Sequence, residues 1–370
     1  LANFYLLSSH VNLVEKTVNE LQGKKNIGDN VVTTLDSDLQ QTASDAMGNR
    51  RGAVIAMEPD TGKILTMVSQ PNFNANTVDE QWEALTSPEN TKAQLVNRAT
   101  QGLYSPGSTF KIVTALEYLH ENPDGMSQFH FDCDGLMEQG EYQIRCYHGE
   151  SHGSQDLRMS FANSCNGAFS TMGLGLNLTQ FNSLASQLLF NSSLPLSLPY
   201  KESSFVMGEG ADEWERLQTS IGQGKTQITP MHNLMITAAI ANGGTLMKPY
   251  MIDHVENAGG QTVKKFLPEA YGTLMSSEDA SVLSGLMTAV VTDGTGSALR
   301  GAPYTAAGKT GSAEFETGKE THAWFVGYAP VEDPKIAVCV LLEESGSGGK
   351  QAGPVARAVM DKYFEKNPLQ

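Results

Sequence analysis

The sequence predicts a mixed α/β (α+β) fold in which one sheet is assembled from both ends of the chain and helices pack over it. Two observations carry this. Strand-like apolar runs cluster at residues 51–71, "RGAVIAMEPDTGKILTMVSQP", and again near the C-terminus in "APYTAAGKTGSAEF", "HAWFVGYAP" and "KIAVCVLLEE". Between them, from roughly 105 to 290, the apolar spacing is mainly helical. Strands this far apart in sequence bury their faces by sharing a sheet, with the intervening helices as its cover. The 370 residues suffice for a large domain plus something smaller.

Taken in order, residues 1–29 are a polar amphipathic segment ending in the Gly/Lys/Asn cluster "GKKNIGDN", expected to be the remnant of an N-terminal segment and its linker; residues 30–370 form the main domain. "TTLDSDLQQTASDAM" reads as a helix capped near Asp36 or Ser37, with Leu39, Ala43 and Met47 on one face. The turn "PDTG" joins the first two strands. "ITPMHNLMITAAIANGG" is a helix closed by a Gly pair, "EESGSGGK" a short flexible loop, and "PVARAVMDKYFEK" a final amphipathic helix opening at Pro354.

Composition narrows the partners. With 40% hydrophobic and 8% aromatic residues the chain is globular, and 25 Lys plus Arg against 41 Asp plus Glu give a formal charge of −16. Phosphate backbones need a basic surface, so nucleic acid is not an expected partner; the acidity reads as solubility. No run of 18 apolar residues and no signal-peptide pattern is present, so any targeting segment or membrane anchor is expected upstream of Leu1. Four cysteines, at 133, 146, 165 and 339, are too few for a disulfide scaffold.

The chemistry starts at "YSPGSTFKIVTALEYL". Pro106 and Gly107 mark a turn, and Ile112, Leu116 and Leu119 repeat at helical spacing, so Ser108 and Lys111 share one face of a helix start. There the amine at i+3 reaches the hydroxyl, and the free N–H groups favour charge on its oxygen. "FANSCNGAF" supplies Ser164 and Asn166 before another helical run, and "AAGKTGSAE" puts Lys309, Thr310, Gly311 and Ser312 on a strand. S-x-x-K alone is common in long chains. With S-x-N and K-T-G following in that order it is the signature of serine acyl-transferases that react with penicillin.

Here the sequence resembles the penicillin-binding protein transpeptidases, especially the class B (monofunctional) D,D-transpeptidases of peptidoglycan synthesis. The likeness runs from about Asn30 onward through "TTLDSDLQ", "GAVIAMEPDTGKIL", "NRATQGLYSPGSTFK", "SIGQGKTQITPMHN", "AIANGG", "MTAVVTDGTG" and "AWFVGYAP". Ser312 stands where the family more often has Thr. The resemblance implies a serine β-lactamase/D,D-peptidase-like fold: an antiparallel sheet of about five strands flanked by helices, with a mainly helical subdomain. It implies Ser108 as nucleophile and Lys111 as its base, with a pKa lowered by burial and by the second cation Lys309. Ser164 then relays a proton and Asn166 offers an amide to the substrate. Thr310 and Ser312 bind a terminal carboxylate, Gly311 leaves room for the peptide, and the N–H groups of Ser108 and Ser312 form the oxyanion hole. The chemistry needs no cofactor. Peptidoglycan stem peptides and β-lactam antibiotics are the implied ligands, other cell-wall synthesis proteins the implied partners, and the extracytoplasmic face of the bacterial cytoplasmic membrane the implied location. With no glycosyltransferase domain before Asn30, the chain is not expected to polymerise glycan.

"FDCDGLMEQGEYQIRCYHGESHG" sets Cys133 and Cys146 across a hairpin turn near Gly140, with His148 and His152 beyond. Two thiols and an imidazole suit a structural zinc, with His148, Asp132 or Asp134 as fourth ligand; a Cys133–Cys146 disulfide suits the same spacing. Cys165 and Cys339 read as small buried residues, and His322 as a strand-edge residue facing the groove without a carboxylate partner for a triad. Three other functions share the motifs. A D,D-carboxypeptidase would pass the acyl group to water. A β-lactamase would need an E-x-x-L-N element, which is not evident. A β-lactam sensor would ordinarily lack the blocks around Asn30 and Asn97.

Overall fold

Five antiparallel strands make the central sheet, in the spatial order Ala307–Ala313, His322–Ala329, Ile336–Leu342, Gly52–Met57 and Ile64–Gln70. These are the five strands expected from the two ends of the chain. The computed structural model describes residues 2–10, 13–208, 210–316 and 318–369.

Helices cover both faces, which explains why the inner strands read as unbroken apolar runs instead of alternating ones. In Ile336–Leu342 every residue is buried. Ala337, Cys339 and Leu341 face the larger core cluster, while Ile336, Val338, Val340 and Leu342 face the smaller one. The smaller cluster is closed by the helices Ser37–Met47 and Gly348–Lys366, which also pack on each other. Asp36 caps the first of these by accepting from the N–H groups of Asp38 and Leu39, and Leu39, Ala43 and Met47 form its buried stripe. On the opposite face the helix Pro230–Ala241 is buried from Pro230 to Ile240. It is apolar nearly all round because it is the centre of the core, not its surface. Helix Ser277–Thr292 lies against the strand Ala307–Ala313.

The middle of the chain is helical as expected, with departures. Leu136–Gln139 and Tyr142–Arg145 form the hairpin expected about Gly140, whereas Phe131–Cys133 and Gly153–Gln155, not expected as strands, pair with each other. Asn30–Thr33 and Thr262–Lys265 flank Ile252–Glu256 in a small separate sheet. Strands of three to five residues with half-exposed faces carry too little apolar periodicity to register in a sequence window.

The C-terminal helix begins at Gly348, not at Pro354, and Pro354 lies inside it. Gly348 and Gly349, read as part of a flexible loop, are its tightly packed first turn, while Gly346 stays in the loop before it. A Cβ on Gly348 would stand 2.3 Å from both the Gly311 and the Trp324 carbonyl oxygens. Only a residue without a side chain lets this helix start press on the sheet there.

Gly348→Ala is therefore expected to destabilise by about 1–3 kcal/mol through overpacking. Gly285→Ala, in an exposed-facing position of helix Ser277–Thr292 with nothing within 4 Å of the added methyl, should be neutral or stabilising by about 0.4–1 kcal/mol. Thermal melts of the two variants check the contrast.

Candidate active site

Ser108 sits in a 3₁₀ turn, Gly107–Phe110, that runs directly into helix Lys111–Glu121. The turn is clamped from both sides. Gly107 N–H donates to the Gly222 carbonyl at 2.9 Å, and a Cβ on Gly222, whose φ is +75°, would lie 1.9 Å from Gly107 O. Asn233 Nδ2 donates to Thr109 Oγ1 at 3.0 Å, and Thr109 Oγ1 donates to Pro106 O at 2.8 Å. This accounts for the "SIGQG" and "HN" segments, whose role the sequence does not disclose.

The sheet edge closes on this turn. Ala307–Ala313 is an edge strand, and a Cβ on Gly311 would come within 3.1–3.3 Å of Trp324, Thr109 and Pro106. The third wall is the Ser164 turn between two helices. One cleft is thus lined by Ser108, Ser164, Asn166, Thr310, Gly311 and Ser312.

Beneath it lie two fully buried lysines. Lys111 Nζ donates to Ser164 O (2.6 Å), Asn166 Oδ1 (2.8 Å) and Ser164 Oγ (3.2 Å), which uses all three donors of an ammonium. Lys309 Nζ donates to the same Ser164 Oγ at 2.8 Å and to Thr310 O at 3.2 Å. The amine of Lys111 is thus held on the S-x-N wall, and among the described residues no hydrogen bond is made by the Ser108 hydroxyl. The direct Ser108–Lys111 bond expected from the i+3 spacing is not made; Lys111 is bonded to Ser164 and Asn166 instead. That serine has φ +57°, an uncommon conformation for a residue with a side chain, and it turns both its carbonyl and its hydroxyl toward Lys111.

Burial lowers the Lys111 pKa to about 8, opposed by the neighbouring Cys165 and Cys146 sulfurs. Lys309 is held well below its ordinary value, first by burial and then by the Lys111 charge. The second-cation effect expected on Lys111 therefore falls on Lys309. Asn166 also differs from expectation. Its Oδ1 is taken by Lys111 and its Nδ2 donates to Arg145 O at 2.8 Å, so one N–H remains for a ligand. Thr310 and Ser312 both line the cleft, as strand alternation requires, with Thr310 Oγ1 2.6 Å from Thr295 Oγ1 and Ser312 Oγ accepting from Gly348 N–H at 3.3 Å. Thr295, Ser347 and Gly349 also line it and were not singled out from sequence. His322 is buried, stacks on Phe315 and accepts from Glu344 N–H; it does not line the cleft.

Cys133 and Cys146 are free, with their sulfurs 3.7 Å apart, so the disulfide alternative does not describe this structure. Their partners are His152, whose Nδ1 is 3.3 Å from Cys133 Sγ, and Cys165, whose sulfur is 3.7 Å from Cys146 Sγ. The four donor atoms lie within 4.8 Å of one another. His148 is outside this group, with its ring against Tyr147 at 4.1 Å, and Asp132 and Asp134 are also outside it. Cys165, read as a simple core residue, is the fourth member; its place between Ser164 and Asn166 hid it. Cys146 is pushed toward the thiolate chiefly by the Cys165 thiol donating to it, then by His152 and the N–H groups of Gly167 and Asn166, against the opposing effect of burial. Three thiols and an imidazole at this spacing fit a tetrahedral zinc.

The fold and this cleft define a penicillin-recognising serine acyl-transferase. Residues 52–361 match the family described as "Penicillin binding protein transpeptidase domain". Peptidoglycan D,D-transpeptidase PbpA of Mycolicibacterium smegmatis is 33% identical over 91% of this chain and 73% of its own length. MrdA of Acinetobacter baumannii, also a peptidoglycan D,D-transpeptidase, is 30% identical over 93% of this chain and 55% of its own. Among solved structures, penicillin-binding protein A of M. tuberculosis as a penicillin G acyl-enzyme superposes with TM-score 0.86 at 30% identity, covering 98% of this chain and 87% of that one. The chain belongs to the penicillin-binding protein transpeptidase family.

Two outcomes follow from the buried lysines. Lys111→Ala should slow acylation by β-lactams about 10²–10⁴-fold without unfolding the protein, as stopped-flow acylation and a thermal melt would show. The wild-type acylation rate should rise with pH, with its midpoint at about 8, where half of the Lys111 amines have given up their proton, and then level off.

Proposed function

We propose that the chain acts as a peptidoglycan D,D-transpeptidase with Ser108 as nucleophile. The observation that carries this is the pair of buried lysines meeting on Ser164 beside Ser108, at the open edge of the sheet. In the first half-reaction Ser108 Oγ attacks the carbonyl carbon of the penultimate D-Ala of a donor stem peptide. Its proton passes to neutral Lys111 and, through Ser164 Oγ, to the departing amide nitrogen, so that terminal D-Ala leaves as the acyl ester forms. In the second, the amine of a neighbouring stem attacks the ester, its proton returns by the same route, and Ser108 Oγ is released.

Thr310 and Ser312 serve the donor's terminal carboxylate, with Lys309 supplying positive potential below them. The N–H groups of Ser108 and Ser312 take the oxyanion. β-Lactams enter as acyl donors and stay bound: the leaving nitrogen remains tethered, and among the described residues the one carboxylate lining the cleft, Glu150, is exposed and has no side-chain hydrogen bond to a group that would fix an attacking water. A penicillin G acyl-enzyme is the state captured in the M. tuberculosis relative.

The zinc reading rests on Cys133, Cys146, His152 and Cys165. A zinc bound there would be structural, tying the hairpin to the turn that carries Ser164 and Asn166, and would supply no step of the acyl transfer. Among the described residues no helix is long and apolar enough to cross a membrane. Work at the extracytoplasmic face of the membrane, through an anchor outside this sequence, follows from the substrate. A Helicobacter pylori relative of 25% identity and TM-score 0.79 is solved as a complex between PBP2 and MreC, which supports other wall-synthesis proteins as partners.

Penicillin should add one covalent equivalent, mapped by peptide mass to Ser108 and persisting over minutes. An adduct on Ser164, or rapid nitrocefin turnover, would reject the assignment. Protein purified without added metal should carry about one zinc per chain by elemental analysis, show four titratable thiols after denaturation without reductant, and melt at lower temperature after chelation. Absence of metal with two thiols missing until reductant is added would replace zinc by a disulfide.

A further inference from the structure

The reaction has two peptide substrates, and the residues above account for one. The donor meets the strand edge and Ser108, whereas nothing so far receives the amine that completes the cross-link. We infer that Glu150, with the Tyr147 ring beside it, forms the docking subsite for the acceptor peptide's ammonium group, which gives one proton to solvent before the neutral amine attacks the ester; this rests on the transpeptidase reading above.

Tyr147, Glu150 and His152 project from the segment 146–153 into the same cleft as Ser108 and Ser312. Lys111 and Lys309 lie beneath the lining, so among the described residues that form it Glu150 is the only carboxylate, and apart from His152 the other lining side chains are neutral. Glu150 is exposed and makes no ion pair and no side-chain hydrogen bond among the described residues; only its N–H is engaged, to Tyr147 O at 3.2 Å. An unpaired carboxylate at the mouth of a cleft with two buried amines below it is the one feature there that attracts an ammonium group. Replacing it removes that attraction from the cleft's lining.

The position along the cleft also fits. Besides burial, both Glu320 and Glu150 act on the Tyr147 phenol, keeping it neutral, so both carboxylates are near it. Glu320 Oε2 would stand 3.2 Å from a Cβ on Gly346, next to Ser347, which lines the cleft together with Ser312. Tyr147 and Glu150 thus share the cleft with Ser312 and Ser347, and Ser312 is where the proposed function seats the donor's terminal carboxylate, the place the acceptor takes once terminal D-Ala has left. An aromatic face beside a carboxylate is suited to an alkylammonium. The segment is not free to drift: Cys146 and His152 bracket it within the sulfur–imidazole group, and Ser151 Oγ donates to Cys133 O at 2.8 Å.

The test uses the whole chain, a depsipeptide donor ending in D-Ala–D-lactate, and as acceptor a tetrapeptide with one free diamino-acid side-chain amine. The readout is the ratio of aminolysis to hydrolysis, in which changes in the shared acylation step cancel. E150Q should lower this ratio about three- to fivefold, the upper range for one exposed ion pair, E150K should lower it further, and E150D should largely restore it. Added salt should lower the ratio for wild type but not for E150Q. An unchanged ratio in E150Q, or a salt dependence equal to that of wild type, overturns the proposal. A raised ratio shows that Glu150 serves the attacking water and also overturns it. Wild-type protein that only hydrolyses the donor overturns the transpeptidase reading itself and this subsite with it.

Discussion

Two lysine amines buried under one serine hydroxyl are the constraint around which the cleft is organised. A charged amine taken out of water is costly unless its donors are met, and here backbone carbonyls of Ser164 and Thr310, one side-chain amide oxygen and the shared hydroxyl meet them. That demand explains the left-handed turn at Ser164, since only such a backbone aims carbonyl and hydroxyl at one nitrogen. It also explains why the turn is pinned at its next residue, Cys165, by sulfur contacts reaching across to the Cys133–Cys146 hairpin. Burial favours the neutral amine that acyl transfer needs while the turn's acceptors hold that amine in place, and both depend on packing from outside.

That outside packing comes from widely separated segments. The Ser108 turn leans on Gly222, Asn233 and Gly311, and the strand bearing Gly311 is pressed by Gly348 from the last helix. Each contact joins the sheet to the helical half of the chain. Loss of a hydrogen that a glycine contributes at one of these points would shift a wall of the cleft before it disturbed the core.

Much of this was legible in the sequence where a short local pattern carries the information. The five strands, the Asp36 cap, the Thr229–Ala241 helix and the three motifs each fall within a window of a dozen residues. What could not be read depended on long-range contact. The Gly-rich run at 346–349 has a loop's composition, and only the fit of Gly348 against Gly311 and Trp324 makes its last two residues a helix start. Cys165 looks like any small core residue until the fold brings it to Cys146. Lys111 sits one helical turn from Ser108, yet its amine goes to Ser164 and Asn166, because acceptors from fifty residues away satisfy it better than the adjacent hydroxyl. His148 had the spacing of a ligand, but its backbone, at φ +52°, carries the ring onto Tyr147.

The edge position of Ala307–Ala313 has a meaning beyond the cleft. Exposed sheet edges invite pairing with other chains, and proteins ordinarily blunt them. Here the edge strand places Thr310, Gly311 and Ser312 on the wall of the cleft, which the 146–153 segment and the start of the last helix also line. On the function proposed above, a donor peptide laid along that edge would extend the five-strand sheet by one, so that each turnover would complete the architecture only for as long as the foreign strand stays.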